Sequence, residues 1–314
     1  MMLMTRAILA LLVATTAIVP NAAFAQDAPA IHLSTVPIDG GAEPYYAAAQ
    51  GFFKAAGINV EVTSASQGAA ILPGVTGGAV DIGFANMGSL AGAVANGAPL
   101  TLIAPASLYL TNAPTTVCLV ATTSAYKNAA SLDGKTVGTS GIKGLGEYGP
   151  RSWMDKYGGD GNSLKFVELP LAAAVEAMNQ NKVDMIAVSE PFVTVAKAQG
   201  RVIGKCYDGI APRFLIGAFF TTAAWANAHP DLVKKFDAAI RETAVWANKN
   251  PDKTAQILAD ASKVDVTLLR KSVRAIYADK LDPKEMQPLI DVMARYGGLT
   301  ASFSAANMIY KGAQ

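Results

Sequence analysis

Polar and aromatic residues in this sequence gather just past short β-branched runs, at the strand ends where open α/β sheets hold small molecules. Asp39, Glu43, Tyr45 and Tyr46 follow the run at 31–36, Ser66, Gln67 and Gly68 follow 59–62, and Asn86 and Met87 follow 78–84. A second set repeats the arrangement. Thr139, Ser140, Gly141 and Lys143 come after 135–137, and Glu190, Pro191 and Phe192 come after 181–187. These side chains supply hydroxyls, amides and carboxylates for hydrogen bonding, and rings that would flank a planar or apolar body. Each has a plainer use: Ser66 and Thr139 suit helix caps, Tyr45 suits a core, and Glu190 suits pairing with a nearby base. Lys143 is the only cation among them, so a bare anion would lean on backbone and hydroxyl donors.

Reaction chemistry finds less support. Gly144-x-Gly146-x-x-Gly149 matches the form of a dinucleotide fingerprint, with Glu168 near the position of a ribose-binding acid. Its glycines begin well beyond the strand end, however, and Pro150 follows the third directly. Gly134-Lys135-Thr136 resembles the end of a phosphate-binding loop, but Ala129 stands where glycine is required and the lysine opens a strand. The two histidines, His32 and His229, fall in a strand and at a helix start, and neither has an evident nucleophile partner. No G-x-S-x-G, H-E-x-x-H or paired Cys/His spacing is present. No catalytic residue, metal or cofactor is therefore expected.

The positioning elements come in two copies of one plan, strand, loop, helix, strand, helix, strand. The first copy carries Tyr45, Ala48, Ala49, Phe52, Phe53 and Ala56 at helical spacing, with Gly57 as the stop. The second begins at 135–137, runs through the small-residue loop 138–149, and predicts a helix over 150–157 with Trp153, Met154 and Tyr157 on one face. The Val80-Asp81 and Val183-Asp184 pairs mark corresponding positions. The fold class expected is α/β, with two facing lobes. Lobe 1 comprises residues 26–113 and 222–314 and lobe 2 residues 114–221, with 215–221 as the strand back. The last ninety residues read as helices opened by His229-Pro230-Asp231, Asn250-Pro251, Asp265 and Asp282-Pro283. Their buried face is expected to include Leu232, Phe236, Ile240, Thr243 and Ala247, and their job is to cover the first lobe.

Residues 1–25 read as a secretory signal peptide: Arg6, an apolar run over 7–19, and Ala23-Phe24-Ala25 before the cut. No cysteine lies near the cut, so a free periplasmic protein is expected and not a lipoprotein. Cleavage would leave 289 residues and lower the formal charge from +2 to +1, a balance with no basic footprint for nucleic acid. Cys118 and Cys206 are the only cysteines, and in an oxidising compartment a disulfide is the favoured reading over two buried thiols.

Several segments carry a family resemblance. They are residues 43–53 (EPYYAAAQGFF) with 57–61 (GINVE), 77–83 (GGAVDIG), 131–138 (SLDGKTVG), 181–184 (NKVD), 189–192 (SEPF) and 229–233 (HPDLV). In this order they resemble substrate-binding proteins of ABC importers, in the nitrate/sulfonate/taurine family that also holds thiamine-pyrimidine-precursor binding proteins. The resemblance implies a type II periplasmic binding fold, a two-segment hinge, and a helical C-terminal section on lobe 1. It also implies delivery of a small molecule to an inner-membrane permease with its ATPase, and a monomer. Tyr45, Ser66, Gln67, Asn86, Thr139, Ser140 and Glu190 inherit ligand-binding candidacy by matching position. The expected solute is small and organic, polar or anionic at one end, such as a sulfonate, an aminosulfonate or an aromatic or heterocyclic acid. Glu190, if it faces the cleft, would favour an amine or ring N–H. Pyrimidine-synthase relatives use a reactive histidine and a cysteine-rich segment, and no such segment occurs here. An exported enzyme on this scaffold and a sensing module for a membrane receptor are the alternative functions.

Overall fold

The computed structural model describes residues 30–312; the targeting segment expected at 1–25 lies outside them. Two five-stranded sheets carry the two lobes. The first runs in the order Val60–Ser64, Ile31–Thr35, Ile82–Asn86, Gly217–Thr222, Leu100–Pro105. Its first three strands are parallel, with Ile31 opposite Val60 and Leu33 opposite Ile82. Gly217–Thr222 is antiparallel to both its neighbours. The chain therefore re-enters the first lobe before residue 222, the boundary expected from the sequence. The reason lies in Ala218, Phe219 and Phe220, which are fully buried and fill the seam between strands 82–86 and 100–105. Each large apolar side chain buried there contributes roughly 1.5–3 kcal/mol.

The second sheet runs Gly200–Gly204, Thr116–Ala121, Met185–Ser189, Thr136–Thr139, Lys165–Glu168. Thr136–Thr139 is parallel to both its neighbours, and Thr116–Ala121 is antiparallel to both of its own. Alternation along the strands separates the two faces. Val117, Leu119, Ile186 and Val188 pack in one cluster with the helices Leu171–Asn179 and Phe192–Ala196. Cys118, Val120, Met185 and Ala187 face the other way, in the core that holds Trp153 and Met154 of helix Leu145–Lys156. Cys118 and Cys206 form a disulfide with Cα atoms 5.5 Å apart, tying this sheet to the turn Cys206–Gly209.

Between the lobes, Arg213–Leu215, Ser107–Leu110 and Ile276–Tyr277 form a small antiparallel sheet. One strand of it leads out of the first lobe, one leads back, and the third belongs to the C-terminal section. Tyr109 and Phe214 pack there with ring centroids 5.3 Å apart, and the Tyr109 hydroxyl donates to Asp208 Oδ1 at 2.7 Å.

Three helical expectations shift. The predicted helix over 44–56 is two helices, Glu43–Gln50 and Phe52–Ala55, broken at Gly51, whose φ of 77° lies in the left-handed region glycine favours. The helix predicted from Pro150 begins five residues earlier, at Leu145, and carries Pro150 inside. The proline forfeits one bond to the Gly146 carbonyl, while Tyr148, Trp153 and Met154 bury the helix face. In Pro230–Lys249 the buried face starts at Val233 instead of Leu232. Phe236 of that helix stacks on Phe53 at 5.9 Å and meets Phe219 edge-on at 5.6 Å, which fastens the C-terminal section to the first lobe. Asp265 and Asp282 cap their helices, accepting from Thr267 N at 2.6 Å and Lys284 N at 2.9 Å.

Candidate functional site

The strand ends of the two sheets face each other across a cavity of about 400 Å³. From the first lobe, the loop 36–40 contributes Asp39, the turn 65–69 contributes Ser66 and Gln67, and Asn86 and Ser89 stand at a helix start. The second lobe contributes Thr139, Ser140 and Gly141, then Leu145 and Gly146 at the start of helix Leu145–Lys156. Glu168, Leu171, Ser189, Glu190 and Phe192 close that side. Thr115 and Thr116, with Ile216 and Tyr207, lie where the chain passes between lobes.

Nine candidates from the sequence thus line one cavity: Asp39, Ser66, Gln67, Asn86, Thr139, Ser140, Gly141, Glu190 and Phe192. Four are elsewhere. Tyr46 is fully buried in a cluster with Ala244 and Tyr277, because its helix turns that face inward. Met87 is fully buried on the core side of helix Met87–Ala95. Tyr45 reaches back to the edge strand, where its hydroxyl and Ser64 Oγ are 2.7 Å apart. Lys143 is exposed with φ of 61°, and its backbone N–H donates to Glu147 Oε2 at 2.9 Å. Glu43 is also outside the cavity, fully buried with neither carboxyl oxygen hydrogen-bonded.

Several cavity residues escaped the sequence reading. Ser107, Thr115 and Thr116 sit in the connector between lobes, and Ser262 and Val264 arrive from the C-terminal helices. Thr115 precedes, and Thr116 opens, a strand antiparallel to its neighbour Met185–Ser189, so its start, not its end, meets the cleft. Ser262 and Val264 have no local signal; only the tertiary fold brings them in.

Backbone and side-chain donors dominate the chemistry. Asn86 caps helix Met87–Ala95, its Oδ1 accepting from Ser89 N at 3.0 Å. Gly144 leaves the helix that begins at Leu145 without a side-chain cap, and Leu145 and Gly146 of its first turn line the cavity. A side chain at Gly146 would collide with Thr139 Oγ1 and lie 2.8 Å from the Gly141 carbonyl, so glycine keeps this turn open. Three carboxyls line the cavity, and no described lining residue is Lys, Arg or His. Asp39 is neutralised from behind: Arg274 Nη2 donates to its Oδ1 at 2.5 Å, and Ala275 N donates to its Oδ2. Burial pushes the Asp39 carboxyl up, against the pull of the Arg274 charge and the Ala275 N–H. Arg274 keeps its charge beside it, its pKa raised against burial by the Asp39 carboxyl. Glu190 accepts only from neutral donors, Thr194 N at 3.0 Å, Thr194 Oγ1 at 3.2 Å and Val273 N at 3.3 Å.

Among the described residues no group of three His, Cys, Asp or Glu is placed to hold a metal ion, and no helix is long and apolar enough to cross a membrane. Hydroxyls and amides surround a space that fits a small solute.

The family model described as NMT1/THI5 like matches residues 42–254. No curated protein matches the chain. Among solved structures, the alkanesulfonate-binding protein SsuA from Xanthomonas axonopodis pv. citri, bound to MOPS, superposes with a TM-score of 0.75 at 17% identity, covering 91% of this chain and 99% of that one. The periplasmic nitrate-binding protein NrtA from Synechocystis PCC 6803 gives 0.73 at 17% identity, over 90% and 86%. The Candida albicans CA3427 product, which exhibits the generic periplasmic binding protein fold, gives 0.70 at 13% identity, over 90% and 97%. The likeness is one of fold.

Proposed function

The chain belongs to the NMT1/THI5-like family, and on that premise we propose that it binds a small organic solute between its lobes and delivers it to an ABC importer. The solute is polar or anionic at one end, in the class of sulfonates, aminosulfonates or aromatic and heterocyclic acids. One observation carries the reading: a cavity of about 400 Å³, lined by strand-end hydroxyls and amides from both lobes. Ser66, Gln67 and Asn86 would hold the solute from one side, and Thr139, Ser140 and Glu190 from the other, with Phe192 against its apolar part. An anionic end would be met at the N-terminus of the helix that begins at Leu145.

Export to the periplasm, action as a monomer and docking on an inner-membrane permease complete the proposal. The lobes divide near residues 113 and 216, and closure would be a hinge motion about the three-stranded sheet. A thermal-shift screen of residues 26–314 against sulfonates, taurine, nitrate, pyrimidines, aromatic acids and amino acids tests it. A solute that binds only the folded state raises the Tm by mass action. A hit recovered unchanged, and weakened by Thr139→Ala and Asn86→Ala, is the expected result. A hit converted to product would instead mark an enzyme.

A further inference from the structure

The C-terminal section does more than cover the first lobe: it grips the second lobe on both of its faces. On one face, Tyr296 at the end of helix Pro283–Arg295 donates its hydroxyl to Asp155 Oδ2 at 2.5 Å. Its ring stacks on Tyr148 with centroids 6.5 Å apart, and a side chain at Gly298 would run into the Tyr148 hydroxyl. Tyr148 and Asp155 both lie on helix Leu145–Lys156, whose first turn lines the cavity. On the opposite face of the second sheet, Val273 N donates to Glu190 Oε1 at 3.3 Å. Helix Val266–Lys271 packs there beside Phe192–Ala196, and Ser262 and Val264 border the cavity.

Both grips are rooted in the first lobe. Arg274 and Ala275, directly after Val273, hold Asp39. Asn248 binds Tyr277 twice, accepting from its N–H at 2.9 Å and donating to its carbonyl at 3.0 Å. Helix Pro283–Arg295 packs on helix Met87–Ala95, whose first turn meets the second lobe backbone to backbone. A Cβ at Gly88 would stand 2.9 Å from Gly144 Cα.

We propose that residues 262–298 are a two-armed clasp that fixes the closed spacing of the lobes, one arm ending at Tyr296–Asp155 and the other at Val273–Glu190. A pair of lobes joined only by hinge strands has no contact that favours closure until a solute bridges them. Here the chain's own clasp supplies such contacts, and one arm ends on a cavity carboxylate, so whatever engages Glu190 also acts on the clasp. The inference rests on the reading of the cleft as a solute site only for that last step.

Small-angle scattering of the protein, stripped of co-purifying solute by reversible unfolding with its disulfide intact, is the test. The expected wild-type curve is that of the closed form. Tyr296→Ala and Asp155→Ala, which break one arm from either side, should both increase the radius of gyration with unchanged far-UV circular dichroism. Tyr296→Phe keeps the ring and should open less. If Tyr296→Ala does not fold, Asp155→Asn, at an exposed position, decides alone. Adding Glu190→Ala to Asp155→Ala should open the molecule further. A wild type that is already open, or arm variants that scatter as the wild type does, overturns the clasp. An open wild type that still shows thermal shifts would sink the clasp and leave the importer reading intact. A closed wild type that opens in the variants but takes no solute would do the reverse.

Discussion

Two buried carboxyls near the first lobe's loops are both pushed up by burial, but only one has a partner. Glu43 has no hydrogen-bond partner for either carboxyl oxygen, so desolvation holds its pKa well above the usual carboxylate range. Folded protein therefore keeps a proton that the unfolded chain has released. Stability is lost as pH rises from the ordinary carboxyl pKa toward the folded one, by about 1.4 kcal/mol per pH unit. Glu43→Met should remove that slope and stabilise the protein increasingly as pH rises above the ordinary carboxyl pKa, read from urea unfolding at each pH. Parallel pH profiles for the two proteins would refute it. Asp39, by contrast, has a cation within 2.5 Å. Arg274→Met leaves that carboxylate desolvated and unpaired and should cost about 3–5 kcal/mol. Combined with Asp39→Asn it should recover much of the loss; a double-mutant cycle with no coupling would show that the pair is not what holds the loop. Neither environment was legible in the sequence. Position after a strand named Asp39 and Glu43 equally, but side-chain direction, which sends one to the cavity wall and the other into the core, depends on how Glu43–Gln50 packs. Tyr46 and Met87 were misplaced for the same reason.

Elements were more legible than the directions of their side chains, because hydrophobic period and capping chemistry are local. The strands Ile31–Thr35, Thr136–Thr139 and Met185–Ser189, the Asp265 and Asp282 caps and the Pro230 and Pro251 helix starts all follow from neighbouring residues. The start of helix Leu145–Lys156 did not, since Pro150 argued for a boundary that the burial of Tyr148 overrode. That helix is also held from below: Cys206–Gly209 packs against it and is bonded through Cys206 to the inner strand Thr116–Ala121. Eighty-eight residues separate the two cysteines, and closing a loop of that size restricts the unfolded chain by roughly 4–5 kcal/mol in the chain-entropy model. The Cys118→Ala/Cys206→Ala variant should lose stability of that order, and its denaturant midpoint should no longer respond to reductant. A midpoint equal to that of the oxidised wild type would rule the effect out. Because Cys206 supports the helix whose first turn borders the cavity, reduction should also blunt thermal shifts from bound solute.

At the scale of the whole molecule, the two-lobed plan was visible as a duplicated pattern, while the parts that join the copies were not. Residues 262–277 reach the cleft from far along the chain, and the strand Gly217–Thr222 was expected only as a way back from the second lobe. Its place is fourth of five in the first sheet, between Ile82–Asn86 and Leu100–Pro105. That placement sets an order of events on a growing chain. All five strands of the second sheet, and both cysteines, lie within residues 116–206, so this lobe has its complete complement before residue 217 is made. The first lobe, begun earlier, stays split at an unfilled seam until that strand arrives. A fragment of residues 114–212 should accordingly unfold cooperatively by itself, while 30–113 should show no cooperative transition until a peptide of residues 213–224 is added. The lobe that starts first is the one that finishes last, and in the interval it exposes the long-range strand edges that chaperones exist to cover.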